Sequence, residues 1–388
     1  MKKINYGRQD ISNADVDAVV EVLRSDFLTQ GPVVPKFERA LCDYVGASYS
    51  VAVNSATSAL HVACLALDVA PGDIVWTAAT TFVASANCAL HCGANIDFVD
   101  IEPFTYNISV SALTEKLEHA ERTGLLPKVL IVVHMCGMSS DMLGISLLSK
   151  RFGFKIIEDA SHALGGVYKG EAVGSCRYSS ITVFSFHPVK MITTGEGGAA
   201  VTNDADLARS MSMYRSHGIT SDPIYMDERP ADEIWNYQQI ELGFNYRMTD
   251  IQAALGVSQM NRLDEFVRIR NRIAQRYDEE LEGLSIQLPG RRDDTYSSYH
   301  LYPVRVKNTT VKSYQKRIYQ RLLASGIVVN LHYIPVYRHP FYQGIGFEKG
   351  YCPESEAYFR EALSIPIYTS LTDSDQTRVI DALKMELI

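Results

Sequence analysis

Residues 129–159 read VLIVVHMCGMSSDMLGISLLSKRFGFKIIED. One apolar run, Val129–Val133, opens this stretch, and a second, Lys155–Ile157, closes it just before two carboxylates. The residues between them, MLGISLLSKRFG, have the apolar spacing of a helix. Two apolar strands joined by a helix are typical of a parallel sheet, so this unit predicts an α/β fold.

The same alternation continues on both sides of this unit. Helical patterns occur at SALHVACLAL and FVASANCAL, between further β-prone runs. These runs are Tyr49–Val53, Ile74–Thr77, Asp97–Val99, Ser180–Phe186 and Ala199–Thr202. We therefore expect a mostly parallel sheet that is covered by helices on both faces.

The length of the chain, 388 residues, is sufficient for two domains with ample core. A long, charged helical stretch, MTDIQAALGVSQMNRLDEFVRIRNRIAQRYDEEL, begins near residue 250, and the strand-like YHLYPVRV follows it. We predict a large domain over residues 1–250 and a smaller α+β domain over residues 251–388. Residues 222–239, rich in Asp, Glu, Pro and Trp, are predicted to form an irregular insert.

Charge and composition exclude several classes of protein. The net charge of −8 and the pI of about 5.7 argue against a nucleic-acid-binding protein, which usually carries a basic face. Seven cysteines without a CxxC pair indicate a reduced, cytoplasmic protein. The start, MKKINYGRQD, lacks the apolar core of a signal peptide, and the apolar runs are too short to cross a membrane.

Two groups of residues resemble fragments of a metal site. His134 and Cys136 are two positions apart, and Cys88, His91 and Cys92 lie together in CALHC. Neither group has the paired spacing of a structural zinc site, so we predict that no metal is bound. The helical period instead directs Cys88 and Cys92 towards the core.

Two stretches lie where a strand gives way to a helix. In NSATSAL (Asn54–Leu60), small hydroxyl residues open a helix whose free amides and dipole favour a phosphate, although an ordinary helix cap would look the same. IIEDASHALG ends a strand with Glu158 and Asp159, and His162 follows. Ligands of open parallel sheets bind at such strand ends. A helix cap formed by Asp159 is the alternative.

A third stretch, SFHPVKMITTGEGG (Ser185–Gly198), places Lys190 between a strand end and a glycine-rich turn. Alone, Lys190 could equally be a solvated surface lysine. Together, however, a lysine, an aspartate at a strand end and a phosphate-binding helix start fit pyridoxal 5'-phosphate (PLP). In PLP enzymes a lysine joins the cofactor aldehyde and an aspartate pairs with the ring nitrogen.

The chain resembles the DegT-type sugar aminotransferases, the nucleotide-sugar branch of the fold type I PLP enzymes, over nearly its full length. The stretches that carry the resemblance are NYGRQDIS, SDFLTQGPVVPKFE, NSATSAL, TTFVASAN, EDASHALG, SFHPVKMITTGEGGAAVTND, GFNYRM, YHLYPV and HYIPVY. Within the family the chain is most similar to the PseC-type enzymes. The resemblance implies a mostly parallel, seven-stranded sheet covered by helices, a smaller α+β C-terminal domain, and PLP as the cofactor.

The resemblance also implies individual roles. Lys190 corresponds to the catalytic lysine that holds PLP covalently, Asp159 to the partner of the ring nitrogen, and His162 to a contact of the phenolic oxygen. The other implied cofactor contacts are Ala56, Thr57, Phe82, Ser185 and Asn245. Asn245 would reach the cofactor of the neighbouring subunit, which implies a homodimer. The implied substrate contacts are Tyr6, Phe27, Leu28, Thr29, His332 and Tyr333.

The implied reaction transfers an amino group from L-glutamate to C4 of a UDP-linked 4-keto-6-deoxy-N-acetylhexosamine, as in pseudaminic acid biosynthesis. The product would be UDP-4-amino-4,6-dideoxy-N-acetyl-beta-L-altrosamine. Other UDP- or dTDP-linked 4-keto sugars are alternatives. A PLP-dependent sugar dehydratase is less favoured because those relatives replace the lysine with histidine, whereas this chain has Lys190. A non-catalytic regulatory protein would not need the lysine, aspartate, serine and asparagine together.

Overall fold

A computed structural model of the chain describes residues 3–228, 230, 232–233, 235–307 and 313–387. Its helices are α1 (Asn13–Leu23), α2 (Val33–Val45), α3 (Ala56–Ala66), α4 (Ala84–His91), α5 (Val110–Thr123), α6 (Met142–Phe152), α7 (Ala205–Arg215), α8 (Asp250–Met260), α9 (Leu263–Leu281), α10 (Tyr314–Ala324), α11 (Pro340–Gly344), α12 (Pro353–Glu361) and α13 (Asp373–Leu387). Its strands are β1 (Tyr49–Val53), β2 (Ile74–Ala78), β3 (Asn95–Val99), β4 (Val129–Val133), β5 (Lys155–Asp159), β6 (Val167–Tyr168), β7 (Glu171–Ala172), β8 (Ile181–Ser185), β9 (Gly198–Thr202), β10 (Ile219–Thr220), β11 (Gln238–Gln239), β12 (Ile286–Gln287), β13 (Thr295–Tyr296), β14 (Tyr302–Val306) and β15 (Ala362–Ile365).

A seven-stranded sheet in the order β1-β9-β8-β5-β4-β2-β3 forms the centre of the molecule. Its strands pair in parallel except β9, which is antiparallel to both β1 and β8. All five residues of β4 are buried because helices cover both faces of the sheet. The predicted α/β fold with a mostly parallel, seven-stranded sheet is confirmed.

The stretch that predicted the fold forms a strand–helix–strand unit. After β4, the carboxylate of Asp141 caps α6 by accepting a hydrogen bond from the backbone N–H of Gly144 at 3.2 Å. Gly153 ends the helix in the left-handed conformation, with φ of 84°, which a glycine adopts without steric strain. The chain then enters β5 parallel to β4, and Val133 pairs with Asp159.

The carboxyl ends of three strands and the amino end of a fourth meet at one edge of this sheet. Asp159 of β5 pairs with Val183 of β8, and Ser185 at the end of β8 pairs with Gly198. Gly198 also pairs with Val53 at the end of β1. The loops that follow β1, β5 and β8 therefore converge, together with the amino end of β9, where ligands of open α/β sheets bind.

The chain beyond residue 250 contains a second sheet, in the antiparallel order β12-β14-β15. The stretch predicted as one long helix forms two, α8 and α9. They separate at Arg262, whose backbone leaves the helical region while its guanidinium lies 2.9 Å from Asp10. Helix α8 packs against α1 and α2, since the Asp250 carboxylate accepts hydrogen bonds from the N–H groups of Gly31 and Val33. The domain boundary at residue 250 stays a prediction.

The insert predicted at residues 222–239 contains little regular structure where it is described. It holds a short 3-10 turn, Pro223–Tyr225, and strand β11, which pairs with β10. Residues 229, 231 and 234 of this prediction lie outside the described residues. In the part of the chain that the structure describes, no helix combines the length and apolar character needed to cross a membrane.

Candidate active site

A cavity of about 740 Å³ lies at the sheet edge where the strand ends meet. Its wall combines the segments that follow β1, β2, β5 and β8 with residues 330–334. The predicted site residues that it brings together are Tyr6, Ala56, Thr57, Phe82, Asp159, His162, Ser185, Lys190, His332 and Tyr333. Residues separated by more than three hundred positions in the sequence thus share one cavity, at the place expected for a ligand site.

Lys190 is partly buried on a loop that leaves β8 and returns into β9. The loop is closed by the backbone N–H of Phe186, which donates to the carbonyl of Gly197 at 2.9 Å, and Lys190 N–H donates to His187 O at 2.9 Å. Burial disfavours the ammonium form and lowers the pKa of Lys190 to about 8, while the negative charge of Asp159 opposes this shift. Lys190 thus lines the cavity as a partly buried residue and is not an exposed surface lysine.

Asp159 is buried, with a side-chain partner on each carboxylate oxygen. Oδ2 accepts from the hydroxyl of Ser85 at 2.7 Å, and Oδ1 accepts from the N–H of Ser161 at 3.1 Å and from its hydroxyl at 2.5 Å. The carboxylate thus faces the cavity with its orientation determined by three hydrogen bonds. The two Ser161 contacts form a local turn. A helix cap formed by Asp159 would not explain the third contact, because Ser85 lies 74 positions away in the sequence.

His162 is buried in the cavity wall as a neutral imidazole. Its Nδ1 accepts a hydrogen bond from the backbone N–H of Cys136 at 3.3 Å, so the ring proton resides on Nε2. Nε2 lies 3.2 Å from the hydroxyl of Tyr333. Burial, followed by the charge of Lys190, holds the pKa of His162 well below its usual range.

Two further histidines surround the same space. The ring of His332 lies 5.3 Å from that of Tyr6, and burial with the Lys190 charge lowers the pKa of His332 to about 3. His300, which the sequence did not single out, lies 4.5 Å from the His162 ring and is also held neutral by burial. These histidines bring hydrogen-bonding groups to the cavity without adding positive charge.

The start of α3 forms another side of the cavity. Ser55 caps the helix by accepting from the N–H of Ser58 at 3.1 Å, so the cap that the sequence left open is present. Ala56 and Thr57 nevertheless line the cavity, with Ser185 in the same wall. Helix start and strand edge touch closely, since a Cβ added to Gly198 would lie 2.5 Å from Ala56 N.

These side chains fit PLP. The start of α3 offers the partial positive charge that favours a phosphate, and the absent Cβ of Gly198 lets it approach the sheet. Asp159 and Lys190 supply the carboxylate and the amine. Phe82, which is 56% exposed, presents an aromatic face at the cavity wall, with its ring 6.1 Å from that of Tyr333. An exposed phenylalanine suits stacking on a flat ring.

Four predicted site residues do not line this cavity. Phe27, Leu28 and Thr29 are exposed near the start of α8, where Thr29 forms a bridge with Thr249. Asn245 is also exposed; its backbone bridges to Ser216 and its carbonyl oxygen lies 3.5 Å from Asn54 Nδ2. Their proposed contacts with substrate and with a neighbouring subunit stay predictions.

Several residues in the site escaped the sequence analysis. Ser85 lies within TTFVASAN, which we interpreted only as a helix and a stacking phenylalanine, and His300 lies within the strand-like YHLYPV. His187 and Glu196 line the cavity too, and their side chains approach to 4.0 Å. The clustering of hydroxyl residues in TTFVASAN is the signal that the sequence offers, because Thr81 and Ser85 lie close together in it.

The residues considered as metal ligands have other partners. His134 Nε2 lies 2.6 Å from the buried Glu158 carboxylate, and a hydrogen bond from this imidazole helps to lower the pKa of Glu158 against the effect of burial. Cys88 and Cys92 are buried free thiols in the core, as predicted. Among the described residues, no three His, Cys, Asp or Glu side chains are placed to hold a metal ion.

Known proteins resemble this chain along most of its length. A UDP-4-amino-4,6-dideoxy-N-acetyl-beta-L-altrosamine transaminase from Campylobacter jejuni is 37% identical over 385 residues, covering 98% of this chain and 96% of the relative. The spore coat polysaccharide biosynthesis protein SpsC from Bacillus subtilis is 35% identical over 388 residues, with 98% and 96% covered.

Solved structures agree with the fold. PseC from Helicobacter pylori, an aminotransferase involved in pseudaminic acid biosynthesis, superposes with a TM-score of 0.89 at 29% identity, covering 100% of this chain and 99% of PseC. A Streptococcus pneumoniae protein for which a sugar aminotransferase function is proposed, solved in its PLP form, gives a TM-score of 0.88 at 30% identity, with 99% and 98% covered.

The model of the DegT/DnrJ/EryC1/StrS aminotransferase family matches residues 9–384 of this chain. Aminotransferases of this family use PLP, and structures with PLP and with its aminated form, PMP, are known among the neighbours. With the match spanning nearly all residues, and with a lysine, an aspartate and a helix start meeting in one cavity, this chain is an aminotransferase of the DegT/DnrJ/EryC1/StrS family.

Proposed function

We propose that this chain transfers an amino group, through PLP, to C4 of a UDP-linked 4-keto-6-deoxy-N-acetylhexosamine, with L-glutamate as the donor. The product would be UDP-4-amino-4,6-dideoxy-N-acetyl-beta-L-altrosamine, in pseudaminic acid biosynthesis. The observation that carries the proposal is the shared cavity of Lys190 and Asp159 beside the start of α3. The choice of sugar is supported by the Campylobacter jejuni and Helicobacter pylori relatives.

PLP would be held at four points. The start of α3, with Ala56 and Thr57, would bind the phosphate together with Ser185, while Asp159 would pair with the ring nitrogen. Phe82 would cover one face of the ring, and His162 would contact the phenolic oxygen. The cofactor supplies an aldehyde that takes up the amino group and a ring that withdraws electrons.

Lys190 is suited to moving the proton in this reaction. With a pKa of about 8, its Nζ can both accept and return a proton near neutral pH, whereas an ordinary lysine stays protonated. The loop from Phe186 to Gly197 is closed by its backbone hydrogen bond, and Lys190 lines the cavity from this loop. Burial holds the pKa values of His162, His300 and His332 below the usual range, so these three imidazoles add no positive charge beside the amine.

The sugar nucleotide would bind against Tyr6, His332 and Tyr333, which line the cavity. We also propose that Phe27, Leu28 and Thr29 bind it, and that Asn245 completes the cofactor site of a second subunit in a homodimer. The boundary at residue 250 and the cytoplasmic location belong to the same proposal; the location is supported by seven free cysteines.

The decisive experiment incubates the purified protein with PLP, L-glutamate and a panel of UDP- and dTDP-linked 4-keto sugars. We expect the amino sugar from the UDP-linked N-acetylhexosamine, identified by mass and by its stereochemistry in NMR spectra. The same incubation with Lys190→Ala should give none, whereas Lys150→Ala, which changes an exposed helical lysine outside the cavity, should remain active. Amination of a different sugar would replace the proposed substrate, and elimination products would establish a dehydratase.

A further inference from the structure

The hydroxyl of Ser85 connects two parts of the cavity that are far apart in the sequence. Ser85 lies in the first turn of α4 and is fully buried, and its hydroxyl donates to Oδ2 of Asp159 at 2.7 Å, across 74 positions. The same turn follows directly on Phe82, which forms part of the cavity wall. One hydrogen bond therefore links the segment with the exposed aromatic ring to the strand with the carboxylate.

A second hydroxyl, that of Thr81, forms a hydrogen bond with Ser85. The Oγ1 of Thr81, which is also buried, lies 2.9 Å from the Oγ of Ser85. Because the single hydroxyl proton of Ser85 is donated to Asp159, Thr81 must be the donor in this second contact. The result is a chain of donors, from Thr81 to Ser85 to Asp159, that ends on the carboxylate.

The two oxygens of Asp159 are held in different ways. Oδ1 is bound by Ser161, two residues further along the chain. These contacts therefore connect Asp159 only to its own turn. Among the described residues, the hydrogen bond to Oδ2 comes from Ser85 alone, which belongs to α4 rather than to the Asp159 turn. Loss of the Ser85 hydroxyl would remove the hydrogen bond between Asp159 and α4. The carboxylate could then rotate, because the Oδ1 contacts connect it only to Ser161.

We propose that Ser85, supported by Thr81, is a positioning residue: it orients the Asp159 carboxylate towards the cofactor ring nitrogen and holds Phe82 at the matching distance from that ring. This inference rests on the proposed function, because it requires that a pyridine ring occupies the cavity. Ser85 itself contacts neither substrate nor cofactor in this scheme. Its effect reaches the ring only through Asp159 and the turn that carries Phe82.

The test compares two ligands that differ at one ring atom. Pyridoxamine 5'-phosphate binds without a covalent link to Lys190, and its 1-deaza analogue carries carbon in place of the ring nitrogen. We expect Ser85→Ala to weaken binding of pyridoxamine phosphate to the apoprotein about tenfold, the equivalent of about 1.4 kcal/mol. Binding of the deaza analogue should change less than about threefold, since it lacks the atom that Asp159 would contact.

Matched variants control for loss of a buried hydroxyl. Ser146→Ala removes a buried helical hydroxyl that donates to the carbonyl of Leu143, and Thr77→Val removes one that donates to Ile131 O inside the sheet. Both should leave the affinities unchanged. Thr81→Val, which spares Ser85 and Asp159, should produce the same selective loss in weaker form, and it serves as the test if Ser85→Ala fails to fold.

The outcomes separate this inference from the proposed function. A wild-type protein that binds neither ligand overturns the PLP site itself. In another outcome, the wild-type protein prefers pyridoxamine phosphate while Ser85→Ala and Thr81→Val bind both ligands with wild-type affinity. That result would overturn only the positioning role. Equal losses for both ligands in these variants would also overturn it, because a general distortion of the cavity would then explain the effect.

Discussion

The rings of His162 and Tyr333 stack in the cavity with centroids 6.2 Å apart, and Nε2 of the histidine lies 3.2 Å from the tyrosine hydroxyl. The first residue is proposed to contact the cofactor and the second the sugar. Since His162 is neutral with its proton on Nε2, the hydroxyl of Tyr333 accepts that proton and is free to donate its own into the cavity. The two ligand sites thus share one hydrogen bond.

Tyr333→Phe should affect the sugar rather than the cofactor. Removing the hydroxyl deletes a donor to the substrate but leaves Asp159, Lys190 and the start of α3 in the cavity wall. We expect the KM for the keto sugar to rise about three- to tenfold, the range of one neutral hydrogen bond, with PLP affinity unchanged. Tyr178→Phe, outside the cavity, is the control. Loss of PLP with an unchanged KM would instead assign Tyr333 to the cofactor.

The lowered pKa of Lys190 predicts a pH dependence. The neutral amine is the form that reacts with the PLP aldehyde, and its fraction rises with pH until it levels off above the pKa. We expect the rate at which the apoprotein takes up PLP, followed by the visible absorbance, to increase about tenfold per pH unit below a midpoint of about 8.

Asp159 provides the check on this interpretation. Its negative charge raises the pKa of Lys190 against burial, so Asp159→Asn should move the midpoint below about 8. Lys190→Arg should take up no PLP covalently at any pH. A wild-type midpoint near the ordinary lysine value of 10.5 would show that the amine is solvated.

Gly198→Ala tests the contact between strand and helix start. The added Cβ would lie 2.5 Å from the backbone N of Ala56 and 2.6 Å from the carbonyl carbon of Ser55, neither of which can move without displacing α3. We expect the free energy of unfolding to fall by about 1–3 kcal/mol and PLP affinity to fall with it. Denaturant unfolding and cofactor titration measure the two effects.

Gly344→Ala is the matched control for that variant, because a Cβ there meets no atom within 4 Å. Residue 344 ends a short helix, so alanine should be neutral or slightly stabilising. Equal behaviour of the two variants would contradict the close contact at Gly198.

The proposed sharing of Asn245 between subunits predicts that two inactive variants complement each other. In a hybrid of Lys190→Ala with Asn245→Ala, one site would carry both changes and the other neither. After denaturation and refolding of an equal mixture, we expect about a quarter of wild-type activity, since half of the dimers would be hybrids with one intact site. A mixture no more active than its components would show that Asn245 acts within its own subunit.

Local pattern was sufficient to predict the sheet and much of the cavity. The apolar run of β4, the period of α6 and the carboxylates that end β5 are all features of short stretches, and parallel strands bring their ends to one edge. The resemblance then distinguished Lys190 from an ordinary surface lysine. The structure agrees, since this lysine is partly buried and lines the cavity.

The residues that were missed depend on distant contacts. Ser85 reaches Asp159 across 74 positions, and a serine in a helical pattern has no feature that reveals such a partner. His300 joins His162 from the segment between β13 and β14, across 138 positions of sequence. Asn245 poses the opposite problem, because its proposed role in a neighbouring active site depends on a second chain.

The antiparallel direction of β9 has a consequence for the order of folding. Because β9 turns back directly beside β8, the loop with Lys190 can close as a local hairpin, which forms in microseconds without the rest of the sheet. The phosphate end of the site instead needs β1 to pair with β9 across about one hundred and fifty residues, a slow, non-local step. We therefore expect the reactive lysine to be in place well before the chain is able to retain its cofactor.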